Sequence, residues 1–141
     1  MPRMTCCLLL LIGLLPLGCG RGEKLAPVAG KVFINGAPLP GGPRCYVVYQ
    51  PDRSKNNNAP HEPKSVIQAD GSYQLTTIDQ DGAPPGWYRV RVDAAEVVDV
   101  KNPYVTKWLA DKKYADFATS GLLVEVVEKP ASGAYDLQLK K

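Results

Sequence analysis

The sequence predicts an all-β fold, an antiparallel Greek-key sandwich of about seven strands in residues 27–141. Three observations predict it. Apolar residues alternate with polar ones at period two in short runs. The chain carries 13 glycines and 13 prolines, and they gather between those runs, where turns are needed. No helical pattern alternates with the runs, which disfavours a parallel α/β sheet.

The runs can be taken in chain order. Residues 30–34 place Val32 and Ile34 on one face, and Asn35-Gly36 follows as a hairpin turn, because both residues tolerate positive φ. Residues 44–50 set Cys45, Val47 and Tyr49 against Arg44, Tyr46 and Val48. Residues 51–63, with Asn56-Asn57-Asn58, read as a loop, and 64–69 as a short strand. Asp70-Gly71 turns the chain into 72–77, with Tyr73 and Leu75 inward. The 79–86 stretch is a loop ending in Pro84-Pro85-Gly86.

Residues 87–94 alternate cleanly, with Tyr88, Val90 and Val92 inward and Arg89, Arg91 and Asp93 outward. Residues 122–128 and 134–139 complete the set, the latter with Tyr135, Leu137 and Leu139 on one face. Between the 87–94 and 122–128 runs, Val105, Trp108 and Leu109 recur at helical spacing, so one short helix or turn is expected in the 103–115 crossover, its Trp against the rim.

The N-terminus reads as an address. Arg3 precedes the apolar run Leu8–Leu15, too short for a bilayer core of about 20 residues. The end of this segment, Leu14-Leu15-Pro16-Leu17-Gly18-Cys19, resembles a bacterial lipoprotein signal. Pro16 stands where that family usually has an aliphatic residue. The resemblance implies a signal peptide over 1–18, lipidation of Cys19, a polar tether over 19–26 and a domain over 27–141. With Gly20 after the cysteine, it also implies a cell-envelope lipoprotein on the outer membrane, facing the periplasm or the exterior.

The cysteine count follows. Cys6 and Cys7 leave with the signal and Cys19 carries lipid, so Cys45 has no partner for an intramolecular disulfide. It is expected as a small buried hydrophobe. A net charge of +3 is too mild to point to nucleic acid.

Two motifs carry a second resemblance. Ala69-Asp70-Gly71-Ser72-Tyr73-Gln74-Leu75 and Pro84-Pro85-Gly86-Trp87-Tyr88-Arg89-Val90 are similar to the paired hairpins of carboxypeptidase regulatory-like domains. Those domains are transthyretin-like (prealbumin-like) sandwiches, so the resemblance implies that fold. A hydrolase of the urate pathway shares the fold. Its histidine set and C-terminal Tyr-Arg-Gly-Ser have no match here, which argues against catalysis.

Candidate chemistry is sparse. His61 is the only histidine and has no Cys or His neighbour for a metal site. Asp79-Gln80-Asp81-Gly82 resembles the start of a calcium loop, but Val90 stands where the bidentate acid belongs. No cofactor is expected. Trp87 with Arg89 and Arg91 forms the one candidate ligand face, suited to stacking on a sugar or pairing with an anionic polymer. The plainer reading is that Trp87 caps the sandwich edge while the arginines solvate a strand. The function expected is a non-catalytic, lipid-anchored envelope module with a structural, adhesion or accessory-binding role. Its partners would be the membrane and an envelope protein or polysaccharide.

Overall fold

A computed structural model describes residues 22–141. Residues 1–18, read above as a signal peptide, and Cys19 lie outside the described residues.

The chain is an all-β sandwich of two sheets. Eleven strands run in the order β1 Ala29–Ile34, β2 Ala37–Pro38, β3 Cys45–Pro51, β4 Lys64–Val66, β5 Ser72–Gln74, β6 Thr76–Thr77, β7 Gln80–Asp81, β8 Gly86–Val97, β9 Thr106–Trp108, β10 Leu122–Val126 and β11 Leu137–Leu139. In the smaller sheet β1 is central, with β11 on one side and β2 and β5 on the other. The larger sheet runs β10-β8-β3-β4-β6-β7, with β9 added to β8. Every pairing is antiparallel except β1 with β11, where Val32 faces Leu137 in a parallel register.

The predicted runs are present, with instructive differences. The 72–77 run is two strands: Gln74 pairs with Ala29 in the small sheet, and Thr76 pairs with Lys64 in the large one. The chain changes sheet across Leu75, which is fully buried. Ladder pairing in the 64–69 run stops at Val66. In the 134–139 run it begins only at Leu137. Before that, Asp136 Oδ1 accepts from Lys31 N at 2.9 Å, so a side chain takes the place of the backbone ladder.

The 103–115 crossover divides. Thr106–Trp108 is a strand on β8, and Lys112–Ala115 is a single 3-10 turn with Asp111 at its N-cap. The far end of β8 offers an unpaired edge at Ala95–Val97. A short stretch rich in β-branched and aromatic residues takes that edge in preference to a marginal helix. Trp108 is half-buried there.

The core lies between the sheets. Val32, Tyr73, Leu137 and Leu139 from one sheet meet Val47, Tyr49, Tyr88, Val90 and Val92 from the other. All the inward residues expected on 87–94 are buried, as is Cys45. Five buried tyrosines keep their hydroxyls bonded: Tyr88 Oη, for example, donates to Pro84 O at 2.7 Å. Among the described residues no buried side-chain nitrogen or oxygen lacks a partner.

The sandwich has two distinct ends. Ala26 bridges Ala83, and Leu75 N donates to Val28 O at 2.9 Å, so the N-terminal residues 22–26 lie at the base of the β6–β7 hairpin. β8 runs twelve residues away from that end, roughly 40 Å at about 3.3 Å per residue. It finishes in the turn that joins it to β9.

Candidate functional site

Trp87, Arg89 and Arg91 alternate along β8 and share the outer face of the large sheet. Cross-strand register places Glu125 opposite Trp87, Gln50 and Leu123 on either side of Arg89, and Val48 opposite Arg91. The structure therefore brings the three together on one face. It also gives each of them an intramolecular partner.

Trp87 is half-buried, and Lys55 Nζ stands 4.8 Å from its ring centroid. The Lys55 ammonium thus occupies a stacking surface. The Trp87 carbonyl accepts from Asp52 N and from Asn57 Nδ2, both at 2.9 Å, which latches the 52–57 loop onto β8.

Arg89 lies 3.5 Å from Asp52 Oδ1. Asp52 is buried and caps the 3-10 turn Arg53–Lys55. Bonds from the Ser54 hydroxyl and amide hold its carboxyl below the usual range, with Arg89 adding to the effect. Arg91 forms an ion pair with Asp93, and its guanidinium lies 5.4 Å from the Phe117 ring centroid and 5.9 Å from that of Tyr46. Burial pushes the Asp93 carboxyl up and Arg91 partly offsets it.

Two shallow recesses open on this face. One, of about 390 Å³, is lined by Gln50, Asp52, Arg53, His61, Glu62 and Arg89 among others. The second, of about 630 Å³, is lined by Tyr46, Val48, Lys64, Val66 and Arg91. Glu62 lines both and accepts from Gln50 Nε2 at 3.1 Å. The result is an open track of mixed charge, with Arg53 and Arg89 in the first recess and Arg91 in the second. The first recess, mainly polar, suits a hydroxylated or charged group, whereas the second, with Tyr46, Val48 and Val66, is more apolar.

The other candidates resolve locally. His61 is exposed at the rim of the first recess. Asp79 sits in the β6–β7 turn and Asp81 pairs with Thr76. Among the described residues no group of three His, Cys, Asp or Glu is placed to hold a metal ion. Cys45 Sγ lies 3.4 Å from Ala95 O, and burial pushes its thiol up. Trp108 is far from Trp87: it pairs with Ala95, eight residues along β8, roughly 26 Å away at about 3.3 Å per residue.

The sequence reading missed the β8–β9 turn at the far end. Val98, Val100, Tyr104 and Val105 are 52%, 95%, 84% and 45% exposed, four of the seven most exposed large hydrophobics among the described residues. The turn is nonetheless well built. Asp99 Oδ1 accepts from Lys101 N at 2.9 Å, Asn102 O from Val105 N at 3.0 Å, and Pro103 O from Arg44 at 3.2 Å. The Arg44 guanidinium lies 5.8 Å from the Tyr104 ring centroid. The available signal was Asn102-Pro103, a turn dipeptide between β-branched residues.

No protein-family model, curated protein or solved structure matches this chain.

Proposed function

We propose that this protein is a non-catalytic, lipid-anchored module of the bacterial cell envelope. Cys19 would carry the lipid, and the sandwich would hold a binding surface away from the membrane. The observation that supports this best is polarity along the long axis. The tether would leave at one end of β8, and the exposed apolar turn 98–105 projects from the other. Two or three acyl chains suffice for stable anchoring, since each buried methylene contributes about 0.8 kcal/mol. The turn would then meet an accessory protein, with Val100 and Tyr104 as apolar anchors and Arg44 and Lys101 beside them.

Two measurements test this reading. Mass spectrometry of the mature N-terminus should find an acylated Cys19, and an uncleaved chain with a free Cys19 would refute the anchor. A photo-crosslinker at position 100 should yield a discrete adduct in cells, lost in Tyr104→Ser and absent when the crosslinker stands at position 66. Equal labelling from both positions would remove the turn from the proposal.

The outer face supports a second reading, a module for a glycan or envelope polymer. Its support is the track between Arg89 and Arg91 with Asp52 and Glu62 at hand. Polysaccharide pull-down with Arg89→Ala and Trp87→Ala separates the two readings. Binding that survives both variants would sink this one.

A further inference from the structure

An asparagine side chain can react with the backbone nitrogen of the residue that follows it. The reaction needs that nitrogen free of a hydrogen bond, a carboxamide free to turn towards it, and room for the peptide to rotate. The chain has five asparagines, and the structure separates one of them from the rest. Asn56 precedes Asn57, whose N–H is committed to Asp52 O at 3.2 Å. Asn57 is itself buried, with Nδ2 on Trp87 O at 2.9 Å. Asn58 precedes Ala59, whose N–H is committed to Asn57 Oδ1 at 3.1 Å. Asn102 precedes Pro103, which has no N–H to lose.

Asn35 and Gly36 form the tip of the β1–β2 hairpin and are both exposed. Their φ angles are +50° and +85°. Among the described residues neither the Asn35 carboxamide nor the Gly36 N–H has a hydrogen-bond partner. Nothing lies within 4 Å of where a Gly36 Cβ would stand, so the peptide between the two residues can swing. The Asp-Gly pairs lack this freedom. Gly71 N donates to Gln68 O at 2.9 Å and Gly82 N to Leu75 O at 2.8 Å.

We infer that Asn35-Gly36 is a self-modifying site, at which the chain deamidates and thereby loosens the β1–β2 hairpin. The Gly36 nitrogen gives up its proton and attacks Asn35 Cγ. A bond forms between them, the Cγ–Nδ2 bond breaks, and Nδ2 leaves with the electron pair as ammonia. The product is a cyclic imide. Water then opens one of its two C–N bonds. Opening at Cγ gives aspartate, and opening at the main-chain carbonyl gives isoaspartate, whose backbone is longer by one methylene. Nothing is oxidised or reduced. Either product adds a carboxylate and removes one unit from the +3 net charge.

The longer backbone matters because this turn sets a register. A two-residue loop pairs Ile34 with Ala37 and Phe33 with Pro38, and Leu39 N then donates to Val32 O at 2.8 Å. Leu39 is fully buried. An extra backbone atom at the tip shifts β2 against β1, so it draws Leu39 out of its place in the core.

The test incubates the purified full chain in its native state at mildly alkaline pH and follows it by peptide mapping. The peptide holding Asn35 should gain the mass difference between OH and NH2, with ammonia released in step and isoaspartate seen on fragmentation. Conversion should be faster at higher pH, because the attacking nitrogen must lose its proton. The peptides holding Asn56, Asn57, Asn58 and Asn102 should stay unconverted. Aged wild-type protein should melt at a lower temperature than fresh protein. Asn35→Gly accepts the same φ and has no carboxamide, so its melting should not change with age. Conversion of Asn35 in denaturant but not in the native protein would show that the turn protects it and would overturn the assignment. Equal conversion at the other asparagines would overturn it as well. Full conversion with unchanged melting would overturn the loosening of the hairpin.

Discussion

The hydroxyls of Tyr49 and Tyr73 lie 2.8 Å apart in the core and join the two sheets. Tyr73 Oη donates to Tyr135 O at 2.6 Å, so its single proton is committed and Tyr49 is the donor between the pair. Tyr73→Phe removes both bonds and orphans two groups, whereas Tyr49→Phe removes one. The expected losses are about 2–3 kcal/mol for Tyr73→Phe and about 1 kcal/mol for Tyr49→Phe. Equal midpoints in urea would contradict this order.

The same pair sets an alkaline limit. Burial pushes both phenols above their ordinary value near 10. Groups raised in the folded state stabilise fully below the unfolded value and lose that contribution as pH rises past it. Stability measured by denaturant midpoint should hold up to about pH 10 and then fall. In Tyr49→Phe the fall should be shallower.

Gly86 has φ +145°, and an added Cβ would come within 3.0 Å of the Asn57 side chain. Asn57 is the latch to the Trp87 carbonyl, so Gly86→Val strains the backbone and loosens the 52–57 loop together. The expected loss is about 1–3 kcal/mol, or a Tm lower by at least roughly 4 °C. An unchanged Tm would remove the strain argument.

Cys45 is 1% exposed, and burial favours its protonated thiol. Iodoacetamide should leave it unmodified in the native protein and label it fully in denaturant. Rapid native labelling would show that the β3–β8 edge opens.

Ile78→Asn should raise stability by up to about 1 kcal/mol, since asparagine tolerates positive φ. A destabilised Ile78→Asn would mean that the side chain supports the fold after all.

The strand pattern was legible because period-two alternation records which side chains face the core. Val32, Tyr73, Leu75, Tyr88, Val90 and Val92 were readable as inward from that alone, and all are buried. The turns at Asn35-Gly36 and Gly86 were readable because few other residues accept their dihedrals. Thr106–Trp108 misled because an apolar spacing of three to four residues fits one helical turn by chance in a short window. Its state was settled by an open edge on β8, some ten residues back in the chain.

For the candidate face, the sequence by itself determined that Trp87, Arg89 and Arg91 point outward together. Only the tertiary structure decided that Lys55, Asp52 and Asp93 occupy them, because two of those three partners arrive on a separate loop. The sequence likewise determined where turns fall, since turn chemistry is local. It could not decide that the 98–105 turn and residues 22–26 stand at opposite ends of β8, or that the 72–77 run divides between the two sheets. Those relations follow from strand register, and register is fixed by contacts between residues distant in the chain.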